Sequence, residues 1–534
     1  MRTRRAVPTA TLTLALLSCG GGERPDEPVA PIAKPKIKIA PMVDVADPYA
    51  RPPGGGESPV VALNKGSAPP ANQRPGSGEN TAPPSASATA TGYEIKFATG
   101  SPVPTPVVHQ GKLIVSGGFN SREIYAYNAT TGDSAWGKAL SDDGPSNPVC
   151  EGNTCVFNSE SCTTFAVDAR SGKVKWSWWL GDPQTSSPTI AHGLVFASYP
   201  ASAYMHGLSE IASGTEGGYT GKPVQKQTLP SGATHVIAAF ELETGKPVWR
   251  RWLDADVMSS PVAVDEFVYL TTFAGTVMKL DQKTGDIRYA ISMRATSAPV
   301  VVRQGGRESL HVTRRVEERP DETKEAIVRA DLGDTRLTFR AHAKMAPYLD
   351  GAVQGRSEYA KIAKIDDGEN GFASTPAAAN AGVAGSMVGV ASVSTMQRFQ
   401  GSRVLVAGNL VFSTMGDEVI AVDGETGETR WRHALDGNLK TAGGHLGTAP
   451  LLAGGEIVVA TLTGTIVRLD AKTGKLNATY RTGAPLRSQP AVQDGWIYLG
   501  TEDGRLIAIN TGDRKLTGWP TWGGDNGRTA VRSL

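Results

Sequence analysis

Residues 421–431 read AVDGETGETRW, and nearly the same phrase returns through the chain. VDARSGKVKW places Asp168, Ser171, Gly172 and Trp176 at that spacing, and FELETGKPVW repeats it with Glu241, Thr244, Gly245 and Trp249. Weaker copies are YNATTGDSAW (Asn128, Thr131, Gly132, Trp136), KLDQKTGDIRY (Asp281, Thr284, Gly285, Tyr289) and RLDAKTGKLNA (Asp470, Thr473, Gly474), the last with Ala478 in the Trp position. The phrase describes a hairpin. Its acidic residue ends one strand and accepts backbone hydrogen bonds from the turn, its glycine supplies the positive φ of a bulged hairpin, and its Trp lies on the returning strand. A generic hairpin with an unrelated aromatic does not account for the fixed spacing.

The glycines measure the unit. Gly132 and Gly172 are 40 residues apart, Gly245 and Gly285 are 40, Gly427 and Gly474 are 47, and Gly474 and Gly512 are 38. Each unit alternates apolar and polar residues and is broken by glycine turns, so a period near 40 fits four short strands better than a helical repeat. In residues 259–291 the strands are expected at Pro261–Val264, Phe267–Thr272, Thr276–Asp281 and Ile287–Ile291, here called A to D. At about 440 residues, the remainder of the chain exceeds what one ordinary core sustains, and repetition avoids that limit.

These phrases resemble the tryptophan-docking motif of the pyrroloquinoline quinone (PQQ)-like propeller repeats. In that family the Trp of one unit packs on the motif of its neighbour. The resemblance assigns docking roles to Asp168, Gly172, Trp176, Gly245, Trp249, Asp281, Gly285, Asp423, Gly427, Trp431, Asp470 and Gly474. Clear units centre on Gly132, Gly172, Gly245, Gly285, Gly427 and Gly474, and degraded ones on Gly333 (VRADLGDTRLTF) and Gly512 (AINTGDRKLTGW). The expected fold is therefore an all-β, eight-bladed β-propeller of four-stranded antiparallel blades over residues 95–534. The terminal TGWPTWGGDNGRTA resembles a segment this family carries at one end of the ring. It is expected to help close the circle, which removes exposed strand edges.

Residues 1–19 combine Arg2, Arg4 and Arg5 with an uncharged stretch and Leu-Leu-Ser-Cys, a signal peptide too short for a spanning anchor. Its end resembles a bacterial lipobox, which makes Cys19 the lipidated first mature residue and an ordinary cleavage site the alternative. Residues 20–94 are rich in Pro, Ala, Gly and Ser and read as a disordered linker whose role is reach. The net charge of +2 falls to near −1 without the three arginines, and no basic block points to nucleic acid or an acidic lipid surface.

The other cysteines, Cys150, Cys155 and Cys162, lie in NPVCEGNTCVFNSESC. A two-residue turn at Gly152-Asn153 would oppose Cys150 to Cys155 at disulfide distance, leaving Cys162 over. Other pairings and three free thiols remain the alternatives. No histidine lies near them in sequence, so no zinc pattern is present.

PQQ-dependent alcohol dehydrogenases share the propeller and carry adjacent cysteines near the cofactor, with a haem-binding Cys-x-x-Cys-His in some. Neither occurs here, nor does an HExxH, a P-loop or a GxGxxG after a strand. Repetition of Asp168, Asp281, Asp423 and Asp470 from blade to blade argues for turn capping rather than catalysis. No cofactor, PQQ included, and no metal is therefore expected. The chain is similar to the BamB family of lipoprotein propellers of the outer-membrane β-barrel assembly machinery. That similarity implies a non-catalytic scaffold on the periplasmic side of the outer membrane. A quinoprotein oxidoreductase and a surface module for a glycan or small ligand are the alternatives. Additions at about 203–233, 316–325 and 343–396 fall in B–C or D–A connections, which emerge on one face of an up-and-down blade. The last includes an amphipathic stretch with Tyr359, Ile362 and Ile365. Long loops on a rigid scaffold carry binding, so envelope partners are expected on this face.

Overall fold

The computed structural model describes residues 59–65, 76–159, 163–180, 186–200, 233, 235–272, 274–292, 295, 297–304, 307–318, 323–332, 337–347, 404–414, 416–438 and 446–533. Eight antiparallel sheets follow one another, most with four strands. Strand A of blades 1 to 8 begins at Val107, Val149, Thr189, Val262, Val300, Leu405, Leu451 and Ala491. The expected strands of the fourth unit form at Val262–Val264, Phe267–Thr271, Thr276–Asp281 and Ile287–Ser292. Strands B and C are buried on both faces because a blade packs on each side of them. The outermost strand D is half solvated, as in Leu476–Arg481 of blade 7. Apolar clusters fill the wedges between consecutive blades, for example Ile114, Ile124, Trp136, Phe157 and Phe165 between blades 1 and 2.

The repeated turn has one geometry. Asp423 Oδ1 accepts the backbone N–H of Glu425 and Thr426, both at 2.9 Å, and Asp168, Asp281 and Asp470 cap their turns in the same way. The Thr426 backbone N–H and the Arg430 guanidinium hold the Asp423 carboxyl well below the usual carboxylate range. Each turn glycine has positive φ, 69° at Gly172 and 73° at Gly427, and a bulge follows in the strand pairing. These glycines are required twice. A Cβ at Gly172, Gly245, Gly285 or Gly474 would lie about 2.5 Å from the indole of Trp136, Trp176, Trp249 or Trp431 respectively. Each of these indoles also donates its Nε1–H to a carbonyl of the next blade: Ala169, Leu242, Gln282 and Ala471.

In blades 4, 5 and 7, which lack the Trp, a cation takes over the junction. In strand C, two residues before the acidic residue, blades 1, 2, 3 and 6 carry Ala126, Ala166, Ala239 and Ala421, each directly opposite its Trp. Blades 4, 5 and 7 carry Lys279, Arg329 and Arg468 there instead. Lys279 Nζ lies 2.5 Å from Glu308 of blade 5, which also accepts the hydroxyls of Tyr269 and Tyr289. Arg329 donates to the Gly424 carbonyl and Glu425 of blade 6. Arg468, opposite Ala478, reaches Asp513 of blade 8 at 2.8 Å while held by Glu456 at 2.6 Å. An alanine leaves room for an indole to lie across the sheet, whereas a long basic side chain spans the same wedge without one.

Ring closure departs from expectation. The outer strand of blade 8 is Gly92–Lys96, paired with Arg505–Asn510, so the last blade is completed from the N-terminal side of the chain. Tyr93 stands opposite Ala508 in the Trp position, packs on Gly132, and donates its hydroxyl to Ala129 of blade 1 at 2.8 Å. The boundary expected at residue 95 therefore moves. Ala86–Thr89 adds a further strand to blade 8, and Gly78–Asn80 pairs with strand D of blade 1. A one-turn helix, Pro59–Leu63, sits against blades 3 and 4. These segments gain their order from unpaired sheet edges, which composition does not reveal.

The 316–325 addition is also corrected. It mostly lengthens two strands, Arg307–Glu318 and Thr323–Leu332, into a long hairpin. The start of the 343–396 addition belongs to strand Leu337–Pro347. The rest of it, the 201–232 loop, Cys19, Cys162 and residues 1–58 and 66–75 lie outside the described residues. No helix among the described residues is long and apolar enough to cross a membrane.

Trp431→Ala is expected to cost about 3–5 kcal/mol in chemical denaturation. Arg468→Ala is expected to cost about 1–3 kcal/mol by removing the buried cation that joins Glu456 to Asp513 of blade 8. No atom lies within 4 Å of a Cβ built on Gly512, so an indole has space there. Adding Ala478→Trp to Arg468→Ala should recover at least half of that loss, and no recovery would refute the exchange of a cation for an indole.

Candidate interaction surfaces

Strand B of blade 3 ends at Pro200 and strand C starts at His235, so the expected 203–233 loop leaves and returns at the B–C/D–A face. Polar residues are buried at its base. His235 and Asp256 are 1% and 2% exposed, with His235 Nε2 3.9 Å from Asp256 Oδ1. That oxygen accepts the Val257 N–H at 2.7 Å and the Ser198 hydroxyl at 3.4 Å. Burial pushes the Asp256 carboxyl up to about 7 and the His235 imidazole down to about 3. Both groups are therefore neutral in mildly acidic solution, which keeps the base of the loop free of buried charge. Beside them, burial also raises the carboxyl of Asp254, which accepts the Thr276 hydroxyl at 2.6 Å.

The hollow enclosed by the eight inner strands is crossed by the C-terminal segment. Trp519 pairs with Val492 of blade 8, and the Pro520 carbonyl accepts the Val108 N–H of blade 1. The carbonyls of Asn526 and Gly527 accept from Ile190 and Ala263 of blades 3 and 4. Arg528 is fully buried, stacks on Trp522, and donates to the carbonyls of Asn147, Pro188 and Trp522. Val531–Arg532 then runs parallel to strand A of blade 6. Residues 519–532, which include most of the segment expected to close the circle, thus act as an axial plug hydrogen-bonded to six blades.

A cleft of about 730 Å³ opens between blades 5 and 6 on the opposite face, lined by Arg307, Ser309, His311, Arg329, Asn409 and Glu425 among others. Arg307 is exposed and makes no ion pair among the described residues. Cys150 and Cys155 are joined in a disulfide across their two-residue turn, and the Gly152 carbonyl accepts from His109 and Gln110 of blade 1. Among the described residues no His, Cys, Asp and Glu cluster has metal-binding geometry.

Sequence reasoning placed the docking aromatics but missed Lys279, Arg329, Arg468, Glu308 and the plug contacts of Arg528. The alternation of Ala with Lys or Arg two residues before the acidic residue was the available signal for the first three.

Asp256 gives a pH prediction. Its folded pKa is raised, so its stabilising contribution is complete below the unfolded value near 3.8 and is lost as pH rises through about 7. Asp256→Asn keeps the Oδ1 acceptor and cannot ionise. Relative to wild type it should gain roughly 2–4 kcal/mol between about pH 5 and pH 8.5, read from denaturation midpoints.

A family profile described as outer membrane protein assembly factor BamB matches residues 84–205, 208–316 and 362–516, more than half of the chain. The outer membrane protein assembly factor BamB of Yersinia pestis is 23% identical over 181 residues, 32% of this chain and 39% of that protein. The match thus spans well under half of that relative's length. Among solved structures, BamB from Moraxella catarrhalis is 16% identical with a TM-score of 0.45, covering 79% of this chain and 97% of that one. Quinohemoprotein alcohol dehydrogenase from Comamonas testosteroni is 12% identical with a TM-score of 0.48, covering 80% and 77%. With the repeated docking turns and eight blades in place, the chain belongs to the family of outer membrane protein assembly factor BamB.

Proposed function

We propose that this protein is a non-catalytic scaffold of the cell envelope. It is tethered through lipid on Cys19 at the periplasmic side of the outer membrane, and it binds partner polypeptides on its B–C/D–A face. The observation that carries this reading is the axial plug, in which Trp519, Trp522 and Arg528 are buried where six inner strands converge. A ring that fills its own centre presents rims and faces to partners rather than a central chamber to a substrate. A PQQ group fits poorly with these residues. There is no adjacent cysteine pair, and the Cys150–Cys155 disulfide belongs to an A–B hairpin. No cofactor step is therefore derived. Family membership supports an envelope role, and a part in outer-membrane protein assembly is the specific form proposed.

Two experiments test the reading separately. Cys19→Ser should move the protein from the outer-membrane fraction to soluble periplasm or to uncleaved precursor, and unchanged fractionation would rule out the lipid anchor. Replacing 203–232 and 348–396 by short Gly-Ser turns, which spares buried Ala233 and strand Leu337–Pro347, should leave the circular dichroism of the ring intact while abolishing co-purification of envelope proteins. Recovery of the same proteins would place docking elsewhere.

A further inference from the structure

The N-terminal part of the chain treats the outer rim of the ring as a binding surface. Outer strands are sheet edges, with backbone groups facing away from the blade. In blade 3 the outer strand is Pro247–Leu253, and the backbone of Trp252 is paired by a single side chain. Asn64 Nδ2 donates to the Trp252 carbonyl at 3.2 Å, and the Trp252 N–H donates to Asn64 Oδ1 at 2.9 Å. The Asn64 carboxamide thus acts as one rung of a β-ladder. It is held in place by a second bond from Nδ2 to the Val60 carbonyl at 2.9 Å, across the turn of helix Pro59–Leu63. Val60 is 1% exposed and joins the core between blades 3 and 4 with Trp249, Leu253 and Val257. Leu63 packs beside it on the cluster that contains Trp252.

Val60, Leu63 and Asn64, at positions i, i+3 and i+4, dock this segment on the rim. The gain includes one buried valine, a partly buried leucine and one amide pair. The ordering of a short segment offsets most of it and leaves a weak net affinity. A contact so balanced is held by its covalent link to the ring, that is, by effective concentration.

We infer that the rim pocket between blades 3 and 4 is a peptide-recognition site. Its ligand is a one-turn helical segment with apolar residues at i and i+3 and Asn at i+4, and residues 59–65 occupy it as an exchangeable internal ligand. A partner polypeptide presenting the same pattern displaces that segment. The first described contact of the chain with the ring then moves from residue 59 to residue 76, where the Gly76 N–H meets the Ser177 hydroxyl of blade 2. The 17 residues between these positions, fully extended, add roughly 55–60 Å of tether. That gain in reach rests on the membrane-tether reading, whereas the pocket and its ligand do not.

The test uses the full chain and a fluorescent peptide, SPVVALNK, matching residues 58–65. Val60→Asp in the chain should vacate the pocket, and the peptide should then bind saturably by anisotropy with a Kd of roughly 0.1–1 mM. The wild-type chain, whose pocket is filled, should bind at least about tenfold more weakly. A peptide with Ala in place of Asn64 should lose about tenfold on the Val60→Asp chain. If Val60→Asp does not fold, Asn64→Ala in the chain replaces it, with hydrogen exchange of the Trp252 amide reporting release. Absence of saturable binding to a folded, vacated chain overturns the proposal, as does equal binding to the wild-type and vacated chains. Membrane fractionation of Cys19→Ser has no bearing on either result.

Discussion

An indole lying over a glycine of the neighbouring blade is the contact on which this ring depends. The glycine is fixed by two constraints at once: positive φ at the end of a bulged turn, and an aromatic ring where its Cβ would stand. Neither constraint is met by another residue without strain or displacement. Because the indole also donates to a carbonyl next to that turn, the docking is directional as well as apolar. A four-stranded blade exposes two wide faces and is unstable alone. Repeating one contact from blade to blade gives each face a cover and sets the angle between neighbours.

The belt is not uniform, and the exceptions share a physical logic. At three junctions the Ala–Trp pair gives way to a Lys or Arg with a carboxylate or carbonyl partner across the gap. An aliphatic stem with a charged head fills part of the wedge and satisfies its charge at the far side. It fills that wedge less completely than an indole does, and the cleft between blades 5 and 6 opens at such a junction. Cleft and structural irregularity thus coincide here because both follow from one missing aromatic.

The two chain ends stabilise the ring in different ways. The N-terminal side works at the circumference, where it completes blade 8 and covers outer edges of blades 1 and 3. The C-terminal side works at the axis. There, Arg528 and the backbone from Trp519 to Arg532 link six blades through carbonyl and amide groups that inner strands leave unpaired. At the base of the B–C/D–A face the buried Asp256 and His235 are both neutral in mildly acidic solution, so under those conditions they place no ionised group beneath the loop that starts there.

Amino-acid order alone determined what is local. The capping carboxylate of Asp423, the turn glycine Gly427 and the docking Trp431 lie within one hairpin, so the repeat, its period and the blade count were legible in it. The Cys150 and Cys155 opposition follows from a turn of two residues and is local in the same sense. What only the tertiary structure decided depends on partners hundreds of residues apart. Gly92–Lys96 reads as linker until Arg505–Asn510 offers it an edge, Asn64 is an ordinary polar residue until Trp252 needs a rung, and the terminal GGDNGRTA has no fold until eight inner strands surround it. Local propensity is encoded by neighbours in sequence, whereas an unpaired edge or a hollow axis exists only after the ring has formed.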